Sequence, residues 1–279
     1  MKSKRNKTIT VNRSDLSRFP ILKLSSKLKI KNQIYFGDCL TEMKKLPDNC
    51  IDLIVTDPPY TIKKNFGKGT IDISEEKFKI WCESWIKECA RLLKPNGSIY
   101  ICINWEASSI IESLLKKYFI IRNRITWKRD KGRGAKRNWK NNMEDIWFAT
   151  KSDDYIFNVD AVKIVKPVIA PYVDAHGEPK DWKIINGKKV RLTHPSNIWT
   201  DLVVPFWSMP ENTEHPTQKP EKLIERIILA SSSKGALVFD PFLGSGTTAV
   251  CARTLGRGYL GFEIEKKFYT LTMKRITNR

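Results

Sequence analysis

No uninterrupted apolar run in this chain approaches the roughly 18 residues that a membrane-spanning helix needs, so no membrane span is expected. The start, Met1-Lys2-Ser3-Lys4-Arg5-Asn6-Lys7, is basic, but no apolar stretch follows it as a secretory signal requires. Histidine is scarce: His176, His194 and His215 are too scattered in sequence to suggest a metal cluster, and no metal is expected. The six cysteines (39, 50, 82, 89, 102 and 251) include no CxxC pair and mostly sit in apolar stretches. They read as reduced, buried small hydrophobes of a cytoplasmic protein. Neither G-x-x-x-x-G-K-[ST] nor a complete G-x-G-x-x-G occurs, which argues against a nucleoside triphosphate or a dinucleotide.

Acidic charge is also in deficit, with 50 Lys and Arg against 30 Asp and Glu, a net charge of +20. A polyanion is the first partner to consider. The excess is clustered. Residues 1–31 hold ten basic residues against Asp15, with little periodicity, and read as a loosely ordered basic extension. Residues 122–140 hold nine against Asp130, with Trp127 and Trp139 interleaved. Such a mixture suits phosphate contact and base stacking, although a solvated lysine face would look similar.

What is present is an alternation of strands and helices over residues 32–279. Ile34-Tyr35-Phe36 reads as a short strand, Leu40, Met43 and Leu46 have helical spacing, and 51–56 is a second, apolar strand. That βαβ order implies a parallel sheet. Residues 61–73, rich in Gly and Lys, read as a mobile loop. An amphipathic helix from Phe78 to Leu93, ended by the turn Lys94-Pro95-Asn96-Gly97, a strand at 98–103, a helix at 106–117 and strands near 119–127 and 145–150 follow. Residues 155–214 lack a clear period and read as an inserted region of loops and short strands. A helix over 221–232, ended by Gly235, a strand at 236–239, a helix to Leu255 and a strand at 259–263 complete the pattern.

Two breaks in this pattern carry chemistry. The strand 51–56 stops at Asp57-Pro58-Pro59-Tyr60. Proline cannot donate to a ladder, so the chain leaves the sheet there and projects polar atoms from the strand's C-terminal edge. In open α/β sheets that edge binds ligands. The Asp57 carboxylate and the Pro58 carbonyl offer two acceptors and Tyr60 an aromatic face, a set suited to a flat ring with an exocyclic amine. A plain surface turn would use the same residue types. The second break is Asp240-Pro241-Phe242-Leu243-Gly244-Ser245-Gly246-Thr247-Thr248, between a strand and a helix. Its Gly-x-Gly turn allows close approach of a ligand to the backbone. Glu263, ending the next strand, can hold the two hydroxyls of a ribose, so the pair describes a nucleoside site.

These two motifs, with His215-Pro216-Thr217-Gln218-Lys219-Pro220 between them, resemble the amino-group DNA methyltransferases. Their order, catalytic tetrapeptide first and glycine turn last, is similar to the β class of adenine-N6 enzymes of bacterial restriction–modification systems. The resemblance covers roughly residues 32–275. It implies an α/β fold, a Rossmann-like methyltransferase sheet, mostly parallel with one antiparallel strand, with circularly permuted motif order and an inserted target-recognition region. It implies S-adenosylmethionine as cofactor and double-stranded DNA as partner, with a homodimer and a cognate restriction endonuclease as further partners. Asp57, Pro58, Pro59 and Tyr60 would be catalytic. Phe239, Asp240, Gly244 and Gly246 would line the methionine end of the cofactor, Glu263 the ribose and Asp38 the adenine. Thr217 and Lys219 would meet the carboxylate. Cys39, Asp57, Ser245 and Thr247 complete the implied cofactor set. DNA contact falls to Lys128, Arg129, Arg133, Lys136, Arg137 and Asn141, within 128–142, and to 155–214. Asp57→Ala is expected to stop methyl transfer, and Gly246→Asp to abolish cofactor binding in a folded protein.

Three alternatives stay open from sequence. A cytosine-N4 enzyme would use the same geometry, although Asp rather than Ser at position 57 favours adenine. RNA and protein-glutamine methyltransferases carry a related tetrapeptide, usually after the glycine motif. A non-catalytic nucleic-acid binder would account for the charge but not for the cofactor turn.

Overall fold

Alternate residues of the apolar runs go to opposite faces, and this period of two builds a two-sided sheet. The structure, a computed structural model, describes residues 5–25, 29–59, 74–129, 136–169 and 171–278. Helix α1 (Arg13–Arg18) precedes strand β1 (Gln33–Phe36), helix α2 (Cys39–Met43) and strand β2 (Ile51–Thr56). Helix α3 (Glu75–Leu92), strand β3 (Leu93–Ile103), helix α4 (Trp105–Tyr118) and strands β4 (Ile120–Lys128) and β5 (Met143–Thr150) follow. The inserted region contributes a 3-10 turn at Val159–Val162 and strands β6 (Ile164–Pro167), β7 (Lys183–Ile185), β8 (Lys188–Thr193) and β9 (Ile198–Trp199). Helix α5 (Glu221–Ser231), strand β10 (Leu237–Asp240), helix α6 (Thr247–Thr254), strand β11 (Gly258–Glu263) and helix α7 (Lys266–Thr277) end the fold.

Eight strands form the main sheet in the order β1-β11-β10-β2-β3-β5-β4-β9. β5 runs antiparallel to both its neighbours, and the remaining pairings are parallel. β6, β8 and β7 make a separate antiparallel sheet. On one face of the main sheet Ile54, Ile99, Ile101 and Phe239 pack on α3 and α4. On the other, Leu53, Val55, Tyr100 and Val238 pack on α5 and α6. α3 shows why such a helix forms. Ser74 accepts the Lys77 N–H as its cap, Glu75 and Glu76 face the positive end of the dipole, and Phe78, Cys82, Trp85, Ile86 and Cys89 make its buried stripe.

β2 and β10 are neighbours whose crossovers leave in opposite directions: β2 leads through α3 to β3, and β10 leads through α6 to β11. The crevice at their C-terminal ends is the switch point where doubly wound sheets hold ligands. Both motifs end at this crevice.

Three sequence expectations change. Residues 5–25 are tied down rather than loosely ordered. α1 has a capping box between Asn12 and Asp15, and the buried Asp15 pairs with Lys274 at 2.8 Å. Lys7 and Ile9 N–H donate to the Trp207 and Asn212 carbonyls, Glu214 N–H donates back to the Ile9 carbonyl, and Leu22 N–H donates to the Tyr269 hydroxyl at 3.0 Å. Basic composition gave no hint of these partners, which lie in the last third of the chain. Residues 94–97 do not separate α3 from β3, because the strand starts at Leu93 and carries a bulge there. Gly235 does not end α5; the helix stops at Ser231, and Gly235 turns at φ +82°.

Candidate active site

β2 ends at Thr56 and β10 at Asp240, and a hydrogen bond joins these two ends: the Thr56 hydroxyl donates to Asp240 Oδ1 at 2.9 Å. Phe242 N–H donates to the same oxygen at 3.0 Å, and the Thr248 hydroxyl to Oδ2 at 2.8 Å. Asp240 therefore ties the two motifs together. Burial still pushes its carboxyl up to about 6, against these three donors.

Asp57 is the first residue past β2, at the edge of the crevice. The Lys219 ammonium lies 2.5 Å from its Oδ2, whereas its Oδ1 is buried without a hydrogen-bond partner among the described residues. Burial pushes the Asp57 carboxyl up to about 7. The pull of Lys219 only partly offsets this, and the charge of Glu144 adds to the rise. Lys219 also lies 3.4 Å from Glu144 Oε2, and Glu144 Oε1 accepts from the Arg129 guanidinium.

The glycine turn faces these groups across the cavity. Gly244 sits at φ +55°, and a Cβ there would lie 2.9 Å from His215 Nε2, so only glycine lets the 215–220 segment close on this turn. Glu263 accepts the Gly244 N–H on one oxygen and the Glu265 N–H on the other, each at 2.7 Å. Burial outweighs these donors and raises its carboxyl to about 7. Arg275, buried on α7, donates to the Ser245 carbonyl and to the Glu221 carboxylate and so locks the turn against α5. Burial, reinforced by Lys219 and Arg275, holds His215 down at about 4, so it is neutral at pH 7. The resulting cavity, about 390 Å³, runs from Asp38 and Glu263 past Gly244 to Asp57 and Lys219. Trp81 and Phe242, 5.5 Å apart, form an aromatic wall.

The DNA methylase family matches residues 51–274, a span containing both motifs and the segment between them. The chain belongs to this DNA methylase family. It is 39% identical over 248 residues to the DNA adenine methyltransferase YhdJ of Escherichia coli K12, covering 87% of this chain and 82% of that protein. It is 34% identical to the type II methyltransferase M.HpaI of Haemophilus parainfluenzae, covering 86% and 72%. Among solved structures, the M1.HpyAVI–SAM complex is similar with a TM-score of 0.58 at 28% identity, covering 87% of this chain and 98% of that one. The cofactor of this family is S-adenosylmethionine.

The residues present in this DNA methylase fit that cofactor. A buried acid ends β11, a glycine backbone is bared to the cavity, and the unpartnered Asp57 Oδ1 is at the other end. Of the expected site residues, Asp38, Cys39, Asp57, Pro58, Pro59, Thr217, Lys219, Asp240, Gly244, Ser245, Thr247 and Glu263 line the cavity. Burial pushes the Cys39 thiol up to about 12, so it is a neutral wall atom. Tyr60, Arg133 and the 61–73 loop lie outside the described residues.

Four expectations need correction. Gly246 does not face the cavity. It turns at φ +76°, and a Cβ there would meet Thr272 of α7 at 2.4 Å, so Gly246→Asp would disturb folding before cofactor binding. Phe239 is fully buried beneath the site, because strand alternation turns it toward Phe262 and α3. Arg129, its side chain 31% exposed, gives part of its guanidinium to buried Glu144 instead of presenting all of it at the surface. Trp127 is buried and donates its indole N–H to the Leu202 carbonyl at 3.0 Å, so it cannot stack on a base. Lys128, Lys136, Arg137, Asn141 and Trp139 are exposed. Sequence reading missed Glu144, Trp81 and His215 as parts of the site. His215 lay inside a quoted motif; Glu144 had no motif to mark it.

Proposed function

We propose that this DNA methylase is a site-specific adenine-N6 methyltransferase, with Asp57 and the Pro58 carbonyl as the amine acceptors. The observation carrying this reading is the buried Asp57 Oδ1, without a partner among the described residues and on a residue that lines the cofactor cavity. The 39% identity to a DNA adenine methyltransferase supports adenine over cytosine.

S-adenosylmethionine supplies, when bound, an electrophilic methyl group on a sulfonium. The protein's part is to prepare the amine. Adenine N6 is a poor nucleophile because its lone pair is delocalised into the ring. Asp57 Oδ1 accepts one N–H and the Pro58 carbonyl the other, which favours a pyramidal nitrogen with a localised lone pair. Asp57 need not be a strong base beforehand, since the amine becomes acidic only as its new bond forms. Lys219 holds Oδ2, so Oδ1 keeps its direction. Glu263 would hold the ribose, Asp38 the adenine end and Thr217 with Lys219 the carboxylate. Tyr60 would stack on the target base. Bringing that base out of the duplex costs a few kcal/mol, offset by phosphate contacts of the +20 chain.

The remaining roles belong to the same reading. Residues 32–279 act as the methyltransferase unit, and 128–142 with 155–214 contact DNA and read sequence. A homodimer, a cognate endonuclease and a cytoplasmic location complete it. Incubation of the protein with labelled S-adenosylmethionine and unmethylated bacterial DNA, followed by nucleoside digestion and mass spectrometry, tests the reading. N6-methyladenine is expected. N4-methylcytosine would overturn the base assignment, and no methylated nucleoside would overturn the DNA reaction itself.

A further inference from the structure

Behind Asp57 stands a row of alternating charge that the reaction above does not use beyond its first two members. Asp57 pairs with Lys219, Lys219 with Glu144, and Glu144 with Arg129. The lysine and glutamate are almost fully buried, with side chains 6% and 2% exposed. A carboxylate this deep is costly unless its partners compensate it. Glu144 is not among the residues that line the cavity.

The two carboxylates on Lys219 differ in how they are held. Asp57 follows the end of β2 and precedes two prolines. Glu144 is the second residue of β5, in register with Trp127 of β4, on a strand clamped between β3 and β4. Its Oε1 is engaged by Arg129, whose backbone N–H is itself fixed on the Asn142 carbonyl at 2.8 Å. A lysine has a flexible four-carbon stem and three donors, and alone it specifies no direction. Held between the two carboxylates, the ammonium ties Asp57, at a strand end, to Glu144 within a strand of the sheet interior. We infer that Glu144 is a positioning residue for methyl transfer: it anchors the Lys219 ammonium so that Lys219 fixes Asp57 Oδ2 and leaves Oδ1 facing the target amine. The inference rests on the proposed role of Asp57.

The test uses the full-length protein and compares wild type, Glu144→Gln, Lys219→Met and the Glu144→Gln/Lys219→Met double variant. Single-turnover methyl transfer to DNA is measured beside cofactor affinity by calorimetry and DNA affinity by fluorescence anisotropy. Misplacement of a reacting group by about 1 Å can cost ~100-fold in rate, and a loss of that order is expected for Glu144→Gln. Both affinities should stay within about threefold, a split that general loss of structure would not give. The double variant should be no slower than Lys219→Met, because Glu144 acts only through the lysine. A Glu144→Gln rate within twofold of wild type would overturn the inference, as would multiplicative losses in the double variant or a parallel fall in cofactor affinity. Should Glu144→Gln fail to fold, Arg129→Met/Glu144→Gln removes the pair without leaving a lone charge, and an unchanged rate there would count equally against it. Wild type that methylates no adenine defeats the proposed function; wild type that does, beside an unaffected variant, defeats this inference alone.

Discussion

Replacing Gly246 by alanine should destabilise the protein by about 2–5 kcal/mol, and the structure divides that cost into two parts. The first is conformational. Gly246 caps α6 at φ +76°, a left-handed conformation that costs a residue with a Cβ roughly 1–2 kcal/mol. The second is steric. An added Cβ would lie 2.4 Å from Thr272 Cγ2, 2.6 Å from its Oγ1 and 2.9 Å from its Cβ. Thr272 is fully buried on α7 and its hydroxyl holds the Gly244 carbonyl at 3.1 Å, so it cannot swing away without loss. Overpacking of this kind typically costs about 1–3 kcal/mol. Against a total stability of about 5–15 kcal/mol the change is large. Urea unfolding at equilibrium measures it. Thr272→Ala removes the two nearest atoms and keeps the third. Combined with Gly246→Ala it should return the steric part, less about 1 kcal/mol for the lost hydrogen bond, and leave the conformational part untouched. Gly246→Ala within about 0.5 kcal/mol of wild type would refute both the backbone and the contact argument, and a strictly additive double variant would refute the contact argument alone.

Asp57→Ala should lower methyl transfer at least a thousandfold while calorimetry finds cofactor affinity within a few fold; near-normal turnover would remove the aspartate from the chemistry. Glu263 carries a carboxyl raised in the folded state to about 7 from 4.5. The folded protein thus holds that proton more tightly than the unfolded chain, so the group lowers stability as pH rises from about 4.5 to 7, by about 3 kcal/mol at most. Glu263→Gln should therefore gain on wild type in urea titrations between pH 5 and 7.5, and a constant difference across that range would contradict the burial argument. Trp139, 94% exposed beside Lys136 and Arg137, should weaken DNA binding by fivefold or more when changed to alanine, at about 1–3 kcal/mol per stacked base, with no change in melting temperature. An unchanged affinity in anisotropy would take the tryptophan off the DNA.

The residues legible in the sequence were those that interrupt a period. Asp57 and Pro58 end a strand, and Gly244 sits in a turn that no helix or strand explains, so their place at the sheet's C-terminal edge could be read directly. Residues that obey the local pattern were misread. Phe239 precedes Asp240 in the chain, yet alternation sends the two to opposite faces. Trp127 and Arg129 share a basic segment with Trp139 and Arg137, and composition has no direction: β4 turns Trp127 inward, Arg129 just past its end reaches back to Glu144, and Trp139 and Arg137 stay exposed. Glu144 was silent because an acid near the start of a strand is ordinarily solvated. Its burial depends on β5 being flanked by β3 and β4, and on a lysine arriving from a remote segment. The contacts of residues 5–25 with 207–214 and α7 were silent for the same reason.

The bond between Thr56 and Asp240 spans 184 residues, and its consequence appears during synthesis. At about 5–20 residues per second, a ribosome needs roughly 10–40 s to travel from one side of the cleft to the other. For all that time the tetrapeptide exists without its glycine turn, and β2 waits with one neighbour missing. A nascent chain therefore cannot close the two sides of the cleft on each other until β10 and the glycine turn have emerged.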